Sequence, residues 1–401
     1  MTAVPEQARL RYRDAFAVRE FRAIFAAHVI SFVGMIMAEF ATTVLVYRKT
    51  GSPLLTSLVF ALAFLPHLFA GTFLSSLVDR IPLRRLMTGC TLATAALAGI
   101  MAVPGMPVPA LLLLVFMIGM VSPILGGARA ATLPQVMPGP AYVPARSMLR
   151  VVTQSAQVFG LGAGGLLLTV IEPHTALLLE ACAFVVAAML LRFGTSERPP
   201  APSDGTSMVK DSLSGIRDVL SLRPLRRNLL LGWTVSMLSV APEALANPYA
   251  AEAGFDTARL GLMMAALPLG CTVGEFAGMW LMSPSRQVRL IAPLAAVVLV
   301  PLLGYALTPG IAGVMLILFV SGAGIAYHLG QDHHLLESTP EALRSRALAL
   351  QTTGLMFFQG VGFAGAGAAG QFASVSVIVP VCAVLGLLAL AALRPSPPLK
   401  A

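Results

Sequence analysis

Twelve stretches of about twenty or more mostly apolar residues fill this chain, and no other feature constrains its fold so tightly. They run roughly over 20–46, 54–78, 86–105, 109–133, 144–171, 174–193, 225–248, 258–281, 287–306, 311–336, 342–371 and 374–393. Each is long enough to cross a bilayer as a helix, which satisfies its own backbone polar groups where water is absent. Hydrophobic residues make up 57% of the sequence and charged ones 11%, with mean hydropathy +0.83. So little charge leaves no polar surface to face water. An all-α, twelve-span membrane protein is expected.

The net charge is +9, but the basic residues lie scattered between apolar segments, not gathered in a patch, which sets aside a nucleic-acid role. Their distribution fixes an orientation instead. With the N-terminus in the cytoplasm, that side collects Arg9, Arg11, Arg13, Arg19 and Arg22, then Arg80, Arg84 and Arg85, then Arg129, Arg146 and Arg150. The central linker and the later loops add more, while the opposite side keeps only Arg48, Lys49 and Arg259. Basic residues accumulate on the cytoplasmic side, so both termini are expected there. Arginine far outnumbers lysine (Lys49, Lys210 and Lys400), a bias that suits a GC-rich bacterial genome. Cys90, Cys182, Cys271 and Cys382 fall inside apolar spans without paired spacing and read as core residues, not as a disulfide or metal framework. The polar first twenty residues lack a signal-peptide core.

The two halves repeat. At an offset of 202, Pro66, Pro82, Arg84 and Pro138 meet Pro268, Pro284, Arg286 and Pro340. At the same offset Gln157, Gly160 and Gly165 meet Gln359, Gly362 and Gly367. At 204, Arg19, Arg22 and Glu39 meet Arg223, Arg226 and Glu243. The organisation expected is therefore two six-helix halves, 1–193 and 225–401, joined by a linker over 194–224. That linker opens Pro/Ser-rich, and then Val209, Leu213, Ile216 and Leu220 recur at the spacing of an amphipathic helix on the membrane surface.

Between the second and third spans, Asp79-Arg80-Ile81-Pro82-Leu83-Arg84-Arg85 follows an apolar flank from Ser75. The stretch resembles the loop between helices 2 and 3 of the major facilitator superfamily, whose pattern is a glycine, apolar residues, Asp-Arg, a glycine and a basic pair. Asp79, Arg80, Arg84 and Arg85 match; Ser75 and Pro82 replace the glycines. The fifth span carries Gly160-Leu161-Gly162-Ala163-Gly164-Gly165, similar to the Gly-Pro-x-x-Gly-Gly of the family's antiporters, with Leu161 in place of proline. The parallel repeat suits the same family. Arg19-Glu20-Phe21-Arg22 and the Asp-Arg-x-Pro loop look most like its bacterial multidrug and natural-product exporters.

The resemblance implies that Asp79 latches the cytoplasmic side, with Arg80, Arg84, Arg85 and Arg129 as gating partners. For the arginines a plain topological anchor is an equal reading, and Arg129 could instead meet an anionic substrate. The glycines Gly160, Gly164, Gly165 and Gly362 read as packing surfaces, with ordinary small-residue packing as the plainer account. Spans 1, 4, 7 and 10 line the central cavity in this family, which places Glu39 and Glu243 on the path. An acid at that depth is costly to keep charged, so it suits loading and release of a proton; Glu180 and Glu275 are reserves. His28 and Met35 share the face of Glu39 and, with Gln154, Gln157 and Gln331, are candidate substrate contacts, packing roles being the alternative. His328, Asp332, His333 and His334 read as a solvated vestibule, not a metal site. No phosphate-binding loop or other enzyme signature is present, so neither enzymatic activity nor a cofactor is expected.

The function expected is secondary active transport: proton-coupled efflux of small apolar or amphipathic molecules across a bacterial cytoplasmic membrane, by a monomer whose partners are substrate, protons and lipid. An importer or facilitator of the same fold is the alternative, and a non-transporting receptor or scaffold a more distant one. If Asp79 is a latch, Asp79→Asn inserts normally and shifts the resting population toward opening on the cytoplasmic side. Cysteine accessibility from each side reads this, and an unchanged pattern with normal transport removes Asp79 from the mechanism.

Overall fold

Prolines, glycines and short polar caps decide where the helices begin and end. The computed structural model describes residues 16–68, 80–138, 141–198 and 219–393, and every regular element among them is helical. Helix α1 (Arg19–Thr50) stops at Gly51, whose φ of +61° suits a residue without a Cβ and whose N–H bonds the Tyr47 carbonyl. Ser52 then accepts from the N–H of Leu55 to cap α2 (Pro53–Phe64), with Pro53 at its first position. Helices α3 (Leu83–Met101), α4 (Val108–Val136), α5 (Tyr142–Leu167) and α6 (Pro173–Gly194) complete the first half.

The second half is more broken. Its first apolar stretch holds α7 (Arg223–Ser239), the single turn α8 (Ala241–Ala244) and α9 (Ala246–Glu252). Helix α10 (Thr257–Leu281) is capped by Asp256, and α11 (Pro284–Arg289) and α12 (Ile291–Leu299) lead into a 3-10 segment, Val300–Leu307. Helices α13 (Ile311–Gly324) and α14 (Tyr327–Ser338) follow in tandem, then α15 (Arg344–Ala369) and α16 (Val375–Ala392).

Eight of these segments are long and apolar enough to cross a membrane: α1, α4, α6, α7–α9, α10, α13–α14, α15 and α16. The other four stretches expected to span carry α2, α3, α5 and α12, which are shorter or more polar. Large apolar side chains such as Leu113, Phe159, Phe193, Trp280 and Leu388 point outward, as a lipid-facing surface requires. The linker helix expected around Val209 to Leu220 lies almost wholly outside the described residues, as does Asp79.

The buried side chains are shared unevenly between the halves. At the end of the bundle away from the linker, one cluster joins both: Ile36, Phe40, Val44 and Phe60 of the first half pack with Leu245, Tyr249, Met263 and Phe363 of the second. At the linker end the clusters separate. Phe21, Ile24, Leu86, Leu133 and Leu149 belong to one half, and Leu225, Leu229, Trp233 and Leu335 to the other. Apolar burial therefore holds the halves together at the far end.

Glycine makes that junction tight. A Cβ on Gly165 of α5 would lie 2.7 Å from the Gly261 Cα of α10 and 3.0 Å from the Thr257 carbonyl oxygen. The two helices meet main chain to main chain. On the opposite flank α15 crosses α2, and a Cβ on Gly367 would collide with Ser57. Gly160 and Gly164 turn instead to Ile36, Met37 and Phe40 of α1, and Gly362 to Met237 and Val240 at the end of α7. Of the four glycines singled out in the sequence, Gly165 alone faces the other half; the rest pack helices within one half. Arg48 donating to Thr257 at 3.0 Å and Gln371 to Ser52 at 2.9 Å add polar bridges there.

Gly165→Val should overpack this crossing by about 1–3 kcal/mol and shift the population toward forms with the far end parted. Spin-label distances between residues 48 and 257 measure it, and an unchanged distribution would show that the crossing does not set the closed form.

Candidate functional site

Two polar levels interrupt the apolar interior, one toward the far end and one toward the linker end. The far level is made of acids. Glu39 on α1 is half-buried, and Glu243 sits half-buried in the single turn α8. Pro242 and the irregular backbone at Val240 and Leu245 break the helix on both sides of that turn. The break sets Glu243 apart from the straight run of α7. Glu39 and Glu243 interact electrostatically across the two halves, and Glu39 interacts in the same way with Glu180 of α6. Glu180 is 5% exposed and packs against Gly34 of α1. Glu39 thus lies within electrostatic reach of one carboxyl from each of two other spans, at the level of the apolar junction. Each proton taken up relieves repulsion on its neighbour.

The linker-side level begins with a relay inside the first half. Arg129 of α4 donates from Nη1 to His28 Nδ1 of α1 at 2.5 Å. With Nδ1 accepting, the imidazole hydrogen lies on Nε2, which donates to Thr153 Oγ1 of α5 at 3.1 Å. Thr153 passes its own hydrogen to the Leu149 carbonyl, also at 3.1 Å. Phe32 lies against the imidazole, ring centroids 5.4 Å apart, and Phe32 and Met35 lean on the shared apolar cluster.

A second group crosses between the halves. Arg150 of α5 forms an ion pair with Glu275 of α10 at 3.0 Å, and Gln154, one turn on, reaches the same carboxylate at 3.5 Å and Cys271 Sγ at 3.8 Å. Arg150 also acts electrostatically on His328 and Asp332 of α14, and Asp332 accepts from Gln351 of α15 at 3.0 Å. Among the described residues no group of three or more His, Cys, Asp or Glu side chains is arranged to hold a metal ion.

The remaining sequence candidates fall elsewhere. Gln157 is half-buried on the α5 face that carries Arg150 and Gln154. Gln331 is buried between α7 and α14: its amide donates to the Asn228 carbonyl at 3.0 Å, and Asn228 donates back to the Gln331 carbonyl at 3.2 Å. That exchange makes it a helix-packing residue. Arg84 and Arg85 both pair with Glu197 at 2.6 Å, and Arg80 is exposed. Glu197 follows α6, and its neighbour Arg198 pairs with Glu20 at 2.7 Å, so the start of the linker is tied to α1 and α3. Sequence reasoning missed Thr153, Glu197 and the partner of Arg150. The spacing of Arg150, Gln154 and Gln157 at i, i+4 and i+7 was the available signal for that polar stripe.

This arrangement, two helical halves joined at one end around a polar interior, has counterparts among known proteins. Residues 24–331 match the sequence profile described as Major Facilitator Superfamily. The chain belongs to the major facilitator superfamily. Its fold is similar to that of the nucleoside transporter NupG, with a TM-score of 0.77 at 12% identity, covering 93% of this chain and 100% of that one. The POT family transporter PepTSo gives 0.73 at 12% identity, over 94% and 97% of the two chains. A bacterial homolog of the human lysosomal transporter Spinster, inward-facing and unoccupied, gives 0.65 at 12% identity over 96% and 94%. No curated protein sequence matches the chain. As a major facilitator transporter it is a multi-pass membrane protein acting on a small-molecule substrate, and members of such a family are generally not enzymes.

The Arg150–Glu275 pair bridges the halves, but Arg150 is 59% exposed, so its coupling should be modest, about 0.5–1 kcal/mol. Arg150→Glu or Glu275→Arg alone should loosen the linker end, and the two together should restore it. Double-mutant-cycle analysis of side-specific labelling rates checks this; strictly additive single effects would leave the pair with no gating role.

Proposed function

We propose that the protein is a proton-coupled exporter of small apolar or amphipathic organic molecules, working by alternating access. It would sit in a bacterial cytoplasmic membrane with twelve spans and both termini inside, as the basic residues and the two-fold repeat argue. The observation that carries the reading is the placement of Glu39 and Glu243, one acid from each half, among the residues of the apolar junction, Ile36 and Phe40 flanking one and Ala241 and Ala244 the other. A proton that changes the repulsion between the halves changes the free energy of parting them there. The broken helix around Glu243 lets that carboxyl move with local backbone rearrangement.

Glu39 is the principal proton carrier in this scheme. It lies on an unbroken helix, within electrostatic reach of both Glu243 and Glu180. Glu243 is the substrate or gating contact. The linker-side group, Arg150, Glu275, Gln154 and Asp332, forms the second gate, to which Asp79 would contribute. Phe32, Met35 and Gln157 offer the mixed apolar and hydrogen-bonding wall that an amphipathic molecule needs. Import or facilitated passage without proton exchange is the second reading, favoured by Leu161 where the family's antiporters carry proline.

In everted vesicles, Glu39→Gln should abolish gradient-driven transport while substrate still binds, and Glu243→Gln should mainly change affinity. Full gradient-driven efflux by Glu39→Gln would defeat the assignment. Transport that ignores the proton gradient in the unmodified protein would favour the second reading.

A further inference from the structure

A trough runs along the outer side of the bundle near the linker end, between the start of α1 and the end of α6. Its volume is about 570 Å³. Small residues make the room for it. Ala23 and Ala26 of α1 and Gly194, the last residue of α6, all line it, and a Cβ on Gly194 would collide with Ala23. The two helices therefore touch at this end through their smallest side chains and leave a hollow beside the contact. Val186, Met189 and Phe193 of α6 recur at i, i+3 and i+7, lay an apolar stripe about 10 Å long along the hollow, and are exposed.

Charge sits at one end of the trough only. Arg19 and Arg22 lie one turn apart at the start of α1, and both are exposed. Glu20 stands between them in sequence but does not line the trough. Its carboxylate accepts instead from Arg198 at 2.7 Å and from the Ser196 hydroxyl at 2.6 Å. Ala26 is seven residues further along α1 than Arg19, about 10 Å deeper along the axis, and Val186 lies at the corresponding depth of α6. The lining thus passes from two guanidiniums to an apolar wall within the length of the stripe.

That gradient matches an anionic lipid. A phosphodiester accepts from guanidinium forks, and the methylenes below it cover an apolar stripe. Basic pockets between spanning helices at the cytoplasmic surface take anionic headgroups on the same grounds. A soluble anion would leave Val186, Met189 and Phe193 uncovered, and a zwitterionic headgroup would bring its own cation to the arginines.

We infer that the trough between α1 and α6 is a binding site for an anionic phospholipid, with the phosphate on Arg19 and Arg22 and an acyl chain along Val186, Met189 and Phe193. The site lies on the lipid-facing side, so it depends on neither the substrate nor the coupling ion proposed above. Its occupant would clamp α1 to α6 beside the Glu20–Arg198 pair, where the linker begins.

Native mass spectrometry of the full-length protein in detergent micelles provides the test, with dioleoyl phosphatidylglycerol and dioleoyl phosphatidylcholine as probes. The first phosphatidylglycerol should bind about tenfold tighter than the first phosphatidylcholine. Arg19→Gln together with Arg22→Gln should remove that preference. Ala26→Phe fills the trough and keeps both charges, and it should weaken phosphatidylglycerol by a similar factor. Met189→Ala with Phe193→Ala strips the exposed wall and should weaken it too, which keeps the apolar half of the site testable if Ala26→Phe does not fold. Arg286→Gln with Arg289→Gln, two exposed arginines of α11, removes the same charge elsewhere and should leave the first lipid bound as before.

Equal affinity for the two lipids overturns the assignment, as does unchanged phosphatidylglycerol affinity in the Arg19 and Arg22 double variant. An equal loss in the α11 variant overturns it because general positive charge would then account for the binding. Retained affinity in a folded Ala26→Phe variant, or in the Met189 and Phe193 double variant, overturns it because the trough would then contribute nothing. Excess glycerol 1-phosphate should fail to displace the lipid; displacement would make the ligand a soluble anion and overturn it as well.

Discussion

The architecture depends on one contact: apolar burial at the far end of the bundle, closed by helices that touch through glycine. Ile36, Phe40 and Val44 on one side and Leu245, Tyr249 and Met263 on the other form a single buried cluster, so water is excluded there by both halves together. At the linker end each half has its own core, and what crosses between them is polar and partly solvated. Strong burial at one end and weak ion pairing at the other make the molecule asymmetric. In this form the far end is the barrier, and the linker end is held by interactions that cost little to break.

Placement of the ionisable groups follows that asymmetry. Arg129, His28, Arg150, Glu275 and Asp332 lie toward the linker end, where water has easier access. Glu39, Glu243 and Glu180 lie under the apolar barrier, where a charge is most expensive and protonation has the largest effect on energy. A substrate entering from the linker side would meet this mixed group of cations, acids and hydrogen-bonding side chains before it met Glu39, Glu243 and Glu180. The order of contacts is set by the sequence positions of those residues along α1, α4 and α5.

The helical, membrane-spanning character was legible because length and hydropathy are local properties of each stretch. So was the family, through the Asp79–Arg85 loop and the glycine-rich fifth span. Glu39 and Glu243 could be singled out because a carboxylate inside an apolar run is conspicuous whatever surrounds it. Pairings were not legible. Arg150 and Glu275 are 125 residues apart, and each alone reads as an anchor or a spare acid. Glu197 lies just past the sixth span, where nothing in the local pattern shows that it will draw in Arg84 and Arg85. Gln331 resembles a cavity residue by register, yet the polar groups of Asn228 on the facing helix claim it. The glycines of the fifth span share a composition, but helical rotation sends Gly160 and Gly164 to α1 and Gly165 to α10.

The Gly165–Gly261 crossing bears on how tightly the barrier can seal. Side chains between two helices can change rotamer and take up slack as the helices drift, whereas two bare backbones in van der Waals contact have nothing to extend. A displacement of an ångström or two therefore opens a gap along that line instead of being absorbed. The barrier on that flank is shut or wetted, with little in between. Leakage of water and small ions would scale with the fraction of molecules fully parted there, and not with gradual loosening of each one.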